Sequence, residues 1–201
     1  MNSEKHRKKR KNIPANAKRV FRGVIFDVWQ WKQKMFDGSF AVFEKLERAD
    51  TVNVIAIVGQ KILLLKQKQP DWKKDKNTLA GGRVDEGESP LLAAKRELLE
   101  ESGYASSDWK LWKKQNPYNK LIWTVYTFVA HNCYQKQKPE EDAGERIKSF
   151  LITFEEFLKL SDNPDFYEKE LAGVLHRARY DKKYQKELYN LLFKNGTAKK
   201  S

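Results

Sequence analysis

Residues 82–104 read GRVDEGESPLLAAKRELLEESGY and carry the most informative local pattern of the sequence. Pro90 suits the first turn of a helix, and Gly103 is a residue type that commonly follows the last turn. Between them, apolar residues recur at spacings of three and four, at Leu91, Ala94 and Leu98. This period is typical of one face of an amphipathic helix. We therefore predict a helix over residues 89–101, entered and left through glycine-containing loops.

The predicted helix gathers carboxylates on one side. Glu97 precedes Glu100 by three residues and Glu101 by four, so the three lie along one turn. Like charges at these spacings destabilise a bare helix, so a cation is needed to offset them. Glu88, at the junction of loop and helix, can fold back on the same site. Carboxylate oxygens suit Mg²⁺ or Mn²⁺ better than zinc, and such a metal can activate water and neutralise charge on a phosphoryl group.

The spacing of the whole stretch resembles the Nudix box, G-x5-E-x7-R-E-U-x-E-E-x-G-U, in which U is apolar. The matching positions are Gly82, Glu88, Arg96, Glu97, Leu98, Glu100, Glu101 and Gly103, and Tyr104 stands where an aliphatic residue is usual. The resemblance implies a hydrolase of phosphoanhydride bonds. It also implies an α/β fold: a Nudix-type α-β-α sandwich with a mixed β-sheet, plus an N-terminal β-hairpin.

The resemblance also implies roles for individual residues. Glu97 and Glu101 are the expected main ligands of Mg²⁺ or Mn²⁺, and Glu100 serves a further ion. The main-chain carbonyl near Gly81 completes the set, and Glu88 supports the metals or their waters. Arg96 is expected to orient the glutamates. Gly82 and Gly103 supply conformational freedom at the loop ends.

From about residue 20 to 190 the chain is similar to the ADP-ribose pyrophosphatase branch of the Nudix family. In that branch the N-terminal hairpin helps to form a homodimer and part of the substrate pocket, and a later acidic loop supplies the catalytic base. Here that loop is residues 139–147, and Glu145 best matches the position of the base. The alternatives that remain open are Glu140, Glu141 and Asp142.

The predicted substrate-binding residues lie in several segments, at Trp29, Trp31, Gln69, Trp72, Gly82 and Arg83. The tryptophans can stack on a base, with packing in a core or a dimer interface as the competing interpretation. Enzymes of the branch often carry Glu-Gln-x-Arg before the box, whereas residues 66–70 read KQKQP and lack the arginine. Pro117 is typical of ADP-ribose hydrolases, but the adjacent Tyr118 suggests dinucleoside polyphosphates. The bound group therefore stays open.

Short apolar and aromatic runs predict the remaining elements. We predict a hairpin from residues 20–31 and 40–46, then strands at 51–58, 61–66, 109–115, 121–131 and 146–152, and helices at 153–160, 164–180 and 183–193. Strands and helices interleave without a regular period, which favours a mixed sheet with helices on both faces. The predicted domains are a basic disordered arm (1–19), the hairpin (20–50) and a Nudix hydrolase domain (51–195).

The formal net charge of +13 is concentrated at the ends of the chain. Residues 1–20 hold eight Lys or Arg against a single Glu, and residues 181–201 hold six Lys. The arm is interpreted as a solubilising tail, with contact to RNA or acidic lipid as the alternative. No apolar run is long enough to cross a bilayer, and Cys133 has no partner for an internal disulfide. We expect a cytoplasmic protein.

The leading hypothesis is metal-dependent hydrolysis of the pyrophosphate bond of a nucleoside diphosphate linked to another moiety, such as ADP-ribose or a related nucleotide sugar. One alternative is hydrolysis of dinucleoside polyphosphates, nucleoside triphosphates or RNA 5′ ends. Another is a non-catalytic nucleotide-binding module. The expected partners are a small nucleotide and a second copy of the chain.

Overall fold

The computed structural model describes residues 13–139 and 146–194, which form two units. The first, here called the N-terminal unit, comprises residues 13–50 and 116–124. The second, the sandwich unit, comprises residues 51–115, 125–139 and 146–194. Residues 1–12 of the predicted basic arm lie outside the described residues.

The N-terminal unit contains the predicted hairpin. Its described strands are β1 (Lys18–Arg22), β2 (Asp27–Lys34), β3 (Phe40–Glu47) and the short β10 (Leu121–Ile122), which runs parallel to β3. The turn between β2 and β3 is closed by Asp37, whose Oδ1 accepts hydrogen bonds from the Ser39 N–H at 2.9 Å and hydroxyl at 2.7 Å. Gly38 adopts φ +88° there. The apolar run predicted as one strand, residues 20–31, bends at Gly23, whose N–H donates to the Phe26 carbonyl.

A mixed sheet forms the centre of the sandwich unit. Its strands are β4 (Thr51–Val58), β5 (Lys61–Lys68), β6 (Lys76–Thr78), β7 (Ala80–Arg83), β9 (Asp108–Gln115), β11 (Val125–His131) and β13 (Arg146–Ile152), and β8 (Tyr104–Ala105) pairs with β12 (Tyr134–Gln135) apart from it. The order is β13-β5-β4-β11-β9, with β6 on β5 and β7 on β4. Only the β4–β11 pairing is parallel among the described strands of this sheet.

The two faces of this sheet carry different helices. Successive residues of a strand point to opposite faces, and β4 and β5 are apolar at nearly every position. One face buries Val52, Val54, Ala56, Leu63 and Leu65 together with Ala93, Ala94 and Leu98 of α1 (Pro90–Ser102). The other buries Ile55, Ile57, Ile62 and Leu64 against residues of α2 (Phe154–Lys159), α3 (Lys169–Tyr180) and α4 (Lys182–Phe193). The predicted α-β-α sandwich with a mixed sheet is therefore confirmed.

Three segments differ from the prediction because each forms hydrogen bonds with residues far away in sequence. The predicted strand 121–131 is divided between β10 and β11, and Thr124 donates its N–H to Asp50. Residues 67–81, for which no strand was predicted, contain β6, which pairs with β5. The predicted helix 164–180 begins only at Lys169, since residues 165–167 bond to the backbone of Asn77.

His131 and Cys133 serve the packing of the sandwich unit. A ring nitrogen of His131, Nε2, lies 2.9 Å from the Leu191 carbonyl oxygen and links β11 to α4. Burial raises the pKa of the Cys133 thiol to about 12, so the thiol stays protonated and unreactive. None of the helices in the described ranges combines the length and apolar character needed to span a bilayer.

Candidate active site

The ends of α1 are fixed by its own sequence. The Ser89 hydroxyl accepts a hydrogen bond from the Leu92 N–H, and Pro90 occupies the first turn, where no intrahelical N–H bond is required. At the other end Gly103 adopts φ +74° and donates its N–H to the Leu99 carbonyl. A side chain at Gly103 would also collide with the Gln137 carbonyl. These caps fix where the helix begins and ends.

Arg96 is the centre of the acidic cluster. Its guanidinium donates to Glu97 Oε1 at 2.8 Å, to Glu100 Oε2 at 3.1 Å and to both oxygens of Glu88 at 3.2 Å. A further hydrogen bond, to the Arg83 carbonyl at 3.0 Å, connects the helix to the end of β7. The hydrogen bond with Glu88 is the largest cause of a raised pKa for Arg96, which stays charged. Arg96 thus holds three carboxylates of the predicted metal site near one another.

Glu97 lies against the backbone of Gly82. A Cβ atom at Gly82 would lie 2.8 Å from Glu97 Oε2 and closer still to its Oε1, so any side chain there would displace the carboxylate. The Glu97 side chain is only 13% exposed. Burial raises its pKa, and the adjacent Arg96 charge opposes that rise. A buried carboxylate of this kind is stabilised in its ionised form by nearby positive charge.

Glu101 contacts Gly81, the residue before Gly82 in β7. Its Oε2 accepts a hydrogen bond from the Gly81 N–H at 2.8 Å. Gly81 pairs with Asn53 across the β4–β7 ladder, and a Cβ atom there would collide with the Val52 carbonyl. Two consecutive glycines therefore let β7 approach both β4 and the acidic side of α1.

Glu88 folds back onto the cluster through the loop. Its Oε2 accepts the Asp85 N–H at 3.2 Å, and the hydrogen bond from Arg96 is the main cause of its lowered pKa. Asp85 itself lies 3.8 Å from Arg96 and accepts a hydrogen bond from Arg83 Nε at 3.0 Å. Asp85 was not predicted as a site residue, although its position three residues before Glu88 is the spacing of a turn.

The chemistry of these donors fits a divalent cation. Glu88, Glu97, Glu100 and Glu101 offer hard carboxylate oxygens from one helix and its leading loop, and the raised pKa of Glu97 marks a need for positive charge. Within the described ranges, no three such side chains are already grouped closely enough to hold a metal ion. Their oxygens are held instead by Arg96 and by the Gly81 N–H.

The structure places the predicted substrate residues Gln69 and Trp72 in the loop between β5 and β6. The Gln69 carbonyl accepts the Trp72 N–H at 3.0 Å. The Trp72 ring stacks on Tyr167, with centroids 5.2 Å apart, and Lys76 Nζ lies 4.4 Å from its centroid. Trp72 therefore packs against Tyr167 and Lys76. A stacked aromatic pair with a cation beside it can also bind an aromatic ligand.

The other predicted tryptophans belong to β2 of the N-terminal unit. Trp29 donates its indole N–H to Glu47 at 2.8 Å, and Trp31 packs against Phe43 with ring centroids 6.1 Å apart. Both are buried. The predicted base Glu145 and its alternatives at 140–142 lie outside the described residues.

Comparison with known proteins agrees with this fold. A family model described as the NUDIX domain matches residues 47–172, more than half of the chain. The chain therefore belongs to the Nudix family.

The relatives place the chain close to the ADP-ribose pyrophosphatase branch of Nudix hydrolases. The ADP-ribose pyrophosphatase of Bacillus subtilis (strain 168) is 26% identical over 161 residues, which are 78% of this chain and 86% of that protein. The ADP compounds hydrolase NudE of Escherichia coli (strain K12) is 24% identical over 166 residues, 82% of this chain and 89% of that protein. A crystal structure of an ADP compounds hydrolase superposes with a TM-score of 0.68 at 25% identity, covering 85% of this chain and 94% of the other.

Proposed function

We propose that this Nudix hydrolase cleaves the pyrophosphate bond of a nucleoside diphosphate linked to another moiety, with ADP-ribose or a related nucleotide sugar as substrate. The observation that carries the proposal is the acidic site of α1, where Glu88, Glu97 and Glu100 converge on Arg96 and Glu101 holds Gly81. The names of two relatives, an ADP-ribose pyrophosphatase and an ADP compounds hydrolase, support an ADP-containing substrate.

We assign the binding of Mg²⁺ or Mn²⁺ to the residues that face the Gly81–Gly82 backbone. Glu97 and Glu101 would be the main ligands with the Gly81 carbonyl, Glu100 would serve a further ion, and Glu88 would hold metal-bound water. When bound, such a cation supplies positive charge beside the phosphates and acidifies a coordinated water. Arg96 acts through its hydrogen bonds, because they keep the carboxylates ionised and aligned.

The substrate contacts are assigned to residues flanking this site in sequence. Arg83 is an exposed cation one residue after Gly82, and a guanidinium can pair with phosphate oxygens in two-point geometry. Gln69 and Trp72 are the candidates on the loop before β6, where Trp72 offers an aromatic ring.

We assign removal of the proton from the attacking water to Glu145. In a glutamine variant at this position, kcat should fall by about a hundredfold or more, because general-base catalysis contributes roughly 10² to 10⁴. The acidic limb of the pH–rate profile should also disappear. Glutamine variants at Glu140 and Glu141 are the matched controls and should retain kcat. A normal profile for Glu145→Gln would assign the base elsewhere.

A substrate panel tests the function as a whole. ADP-ribose, a sugar nucleotide, diadenosine tetraphosphate, a deoxynucleoside triphosphate and capped RNA would each be incubated with the full chain and Mg²⁺. We expect the highest kcat/KM for ADP-ribose, with AMP and ribose 5-phosphate as products. A higher value for the tetraphosphate or the RNA would contradict the substrate but not the chemistry. Absence of hydrolysis throughout would favour the binding-module alternative.

We also propose a homodimer formed through the N-terminal unit. Phe40 and Val42 lie two residues apart on β3, so they share a face, and their side chains are 66% and 67% exposed. Exposed apolar patches of this kind mark association surfaces. Light scattering should show a dimer for the native chain and a monomer for Val42→Lys. A monomeric native chain would contradict the proposal.

A further inference from the structure

The chain changes partner strand immediately before the site. Thr78, the last residue of β6, pairs with Leu65 of β5, and Ala80, the first residue of β7, pairs with Val54 of β4. Leu79 stands between the two ladders and belongs to neither. It is only 3% exposed, so its N–H needs a partner inside the protein.

That partner is the side chain of Glu168. Its Oε1 accepts the Leu79 N–H at 2.9 Å, across a separation of 89 residues in sequence. The Asn77 backbone bonds in the same direction, donating to the Asp165 carbonyl and accepting from the Tyr167 N–H, both at 2.9 Å. The hydrogen bonds between Asn77 and residues 165–167 form a short ladder. The Glu168 carboxyl extends this ladder by one hydrogen bond, although the Glu168 backbone already lies at the start of α3.

Glu168 does not use its side chain for its own helix. It occupies the N-cap position of α3, yet no side-chain capping hydrogen bond is formed there. The residue is 4% exposed, and its Oε2 has no hydrogen-bond partner among the described residues. Burying a carboxyl in this way is costly, so a role beyond capping must account for it.

The segment that Glu168 holds is the one that carries the proposed metal site. Leu79 lies two residues before Gly81, whose N–H is bonded to Glu101 at 2.8 Å, and three before Gly82, which contacts Glu97. One carboxyl from α3 and one from α1 therefore hold the same short stretch of backbone. A shift of this stretch would move the Gly81 carbonyl and the Glu101 carboxylate together.

We propose that Glu168 is a positioning residue, which fixes the Leu79–Gly82 backbone and thereby sets the geometry in which Gly81 and Glu101 bind the divalent cation. This role rests on the proposed function, and Glu168 itself touches neither metal nor substrate. Burial raises its pKa to about 8, so the carboxyl is neutral at pH 7 and accepts the bond through an oxygen that an amide also provides.

The test compares variants that keep or remove the acceptor. Glu168→Gln retains an oxygen for the Leu79 N–H, whereas Glu168→Met has a similar size and none. Mn²⁺ affinity, measured by electron paramagnetic resonance of the free ion, should stay within about twofold for Gln and weaken by about tenfold for Met, as for other residues that support ligands. With Mg²⁺, kcat of the Met variant should fall by about tenfold while KM for ADP-ribose changes by less than about twofold.

A matched control separates positioning from general loss of stability. Leu175→Ala, on the same helix and fully buried, should destabilise the protein without changing Mn²⁺ affinity. Faster hydrogen exchange of the Leu79 amide in Glu168→Met, but not in Glu168→Gln, is also expected. If Glu168→Met does not fold, Glu168→Asp is the substitute. Its side chain is one methylene shorter, so the acceptor oxygen moves away from the Leu79 N–H, and Mn²⁺ affinity and kcat should fall by smaller factors.

The outcomes distinguish this role from the proposed function. The positioning role alone is overturned if the native protein binds Mn²⁺ and hydrolyses ADP-ribose, but Glu168→Met or Glu168→Asp has the same Mn²⁺ affinity and kcat. An equal loss in Leu175→Ala also overturns it. Native protein that binds no Mn²⁺ overturns both.

Discussion

The two faces of the central sheet in the sandwich unit are built from different side chains. The face under α2, α3 and α4 is filled by large apolar residues, among them the fully buried Phe157, Phe166 and Leu175. On the face under α1, the helix contributes the small residues Ala93 and Ala94. Small residues let α1 lie close to the sheet, which brings its glutamates onto Gly81 and Gly82. The face under α2, α3 and α4 therefore contributes mainly to stability. The face under α1 is packed with smaller helix side chains and carries the acidic site.

The strongest test of this contrast is Glu101→Gln, on the α1 face. We expect kcat to fall by about a thousandfold, because loss of one charge-stabilising group costs 10² to 10³ or more. Stability should change by less than about 1 kcal/mol, since the amide oxygen can still accept the Gly81 N–H. Glu155→Gln, an exposed residue of α2, is the control and should be neutral in both assays. Full activity of Glu101→Gln would contradict a catalytic role for the α1 face.

A methyl group at the closest approach should have the next largest effect. In Gly82→Ala the added carbon would displace the Glu97 carboxylate, and kcat should fall by about a hundredfold, as for a misplaced catalytic group. The matched control is Gly173→Ala in α3, where a Cβ meets nothing within 4 Å. That variant should keep kcat and gain about 0.5–1 kcal/mol in unfolding free energy. Equal kcat values for the two variants would contradict the account.

On the opposite face, a cavity should affect stability alone. Leu175→Ala should lower the unfolding free energy by about 2–5 kcal/mol, measured by urea denaturation. The kcat of the folded fraction should remain within about twofold, because the cavity lies across the sheet from the glutamates. A much lower kcat in fully folded protein would show that the two faces are coupled.

The pH dependence of stability should report the buried Glu168. Its pKa is raised by burial from 4.5 to about 8, so between these values the native state keeps a proton that the unfolded chain releases. Stability should therefore fall as pH rises, by about 1.4 kcal/mol per pH unit from this residue. Glu168→Gln should remove that part of the slope in denaturation curves at pH 5, 6 and 7. An unchanged slope would mean that the buried carboxyl is ionised.

Local signals in the sequence were sufficient for much of this architecture. The helix predicted at 89–101 is observed at Pro90–Ser102, since proline, apolar spacing and glycine all act within a few residues. The strands at 51–58 and 61–66 were also predicted, because continuous apolar runs interrupted by Gly59 leave few alternatives. The placement of Glu97, Glu100 and Glu101 on one side of this helix followed from their spacing, whereas the role of Arg96 came from the resemblance to the Nudix box.

Contacts between distant segments were not predictable in the same way. β6 has three residues, too few to show the alternating pattern of a strand. It forms because β5 and residues 165–167 donate and accept hydrogen bonds with its backbone. Glu168 lies within the helix predicted at residues 164–180, where an acidic residue near the start of the helix is ordinary. Its burial and its bond to Leu79 depend on how α3 packs, which no local pattern records.

The most direct measurement of the central claim is a crystal structure of the full chain with Mn²⁺ and a non-hydrolysable analogue of ADP-ribose. Anomalous scattering locates manganese independently of the protein phases. We expect a manganese peak bonded to carboxylate oxygens of Glu97 and Glu101 and to the diphosphate of the analogue. A bound analogue with no manganese beside those side chains would contradict this claim.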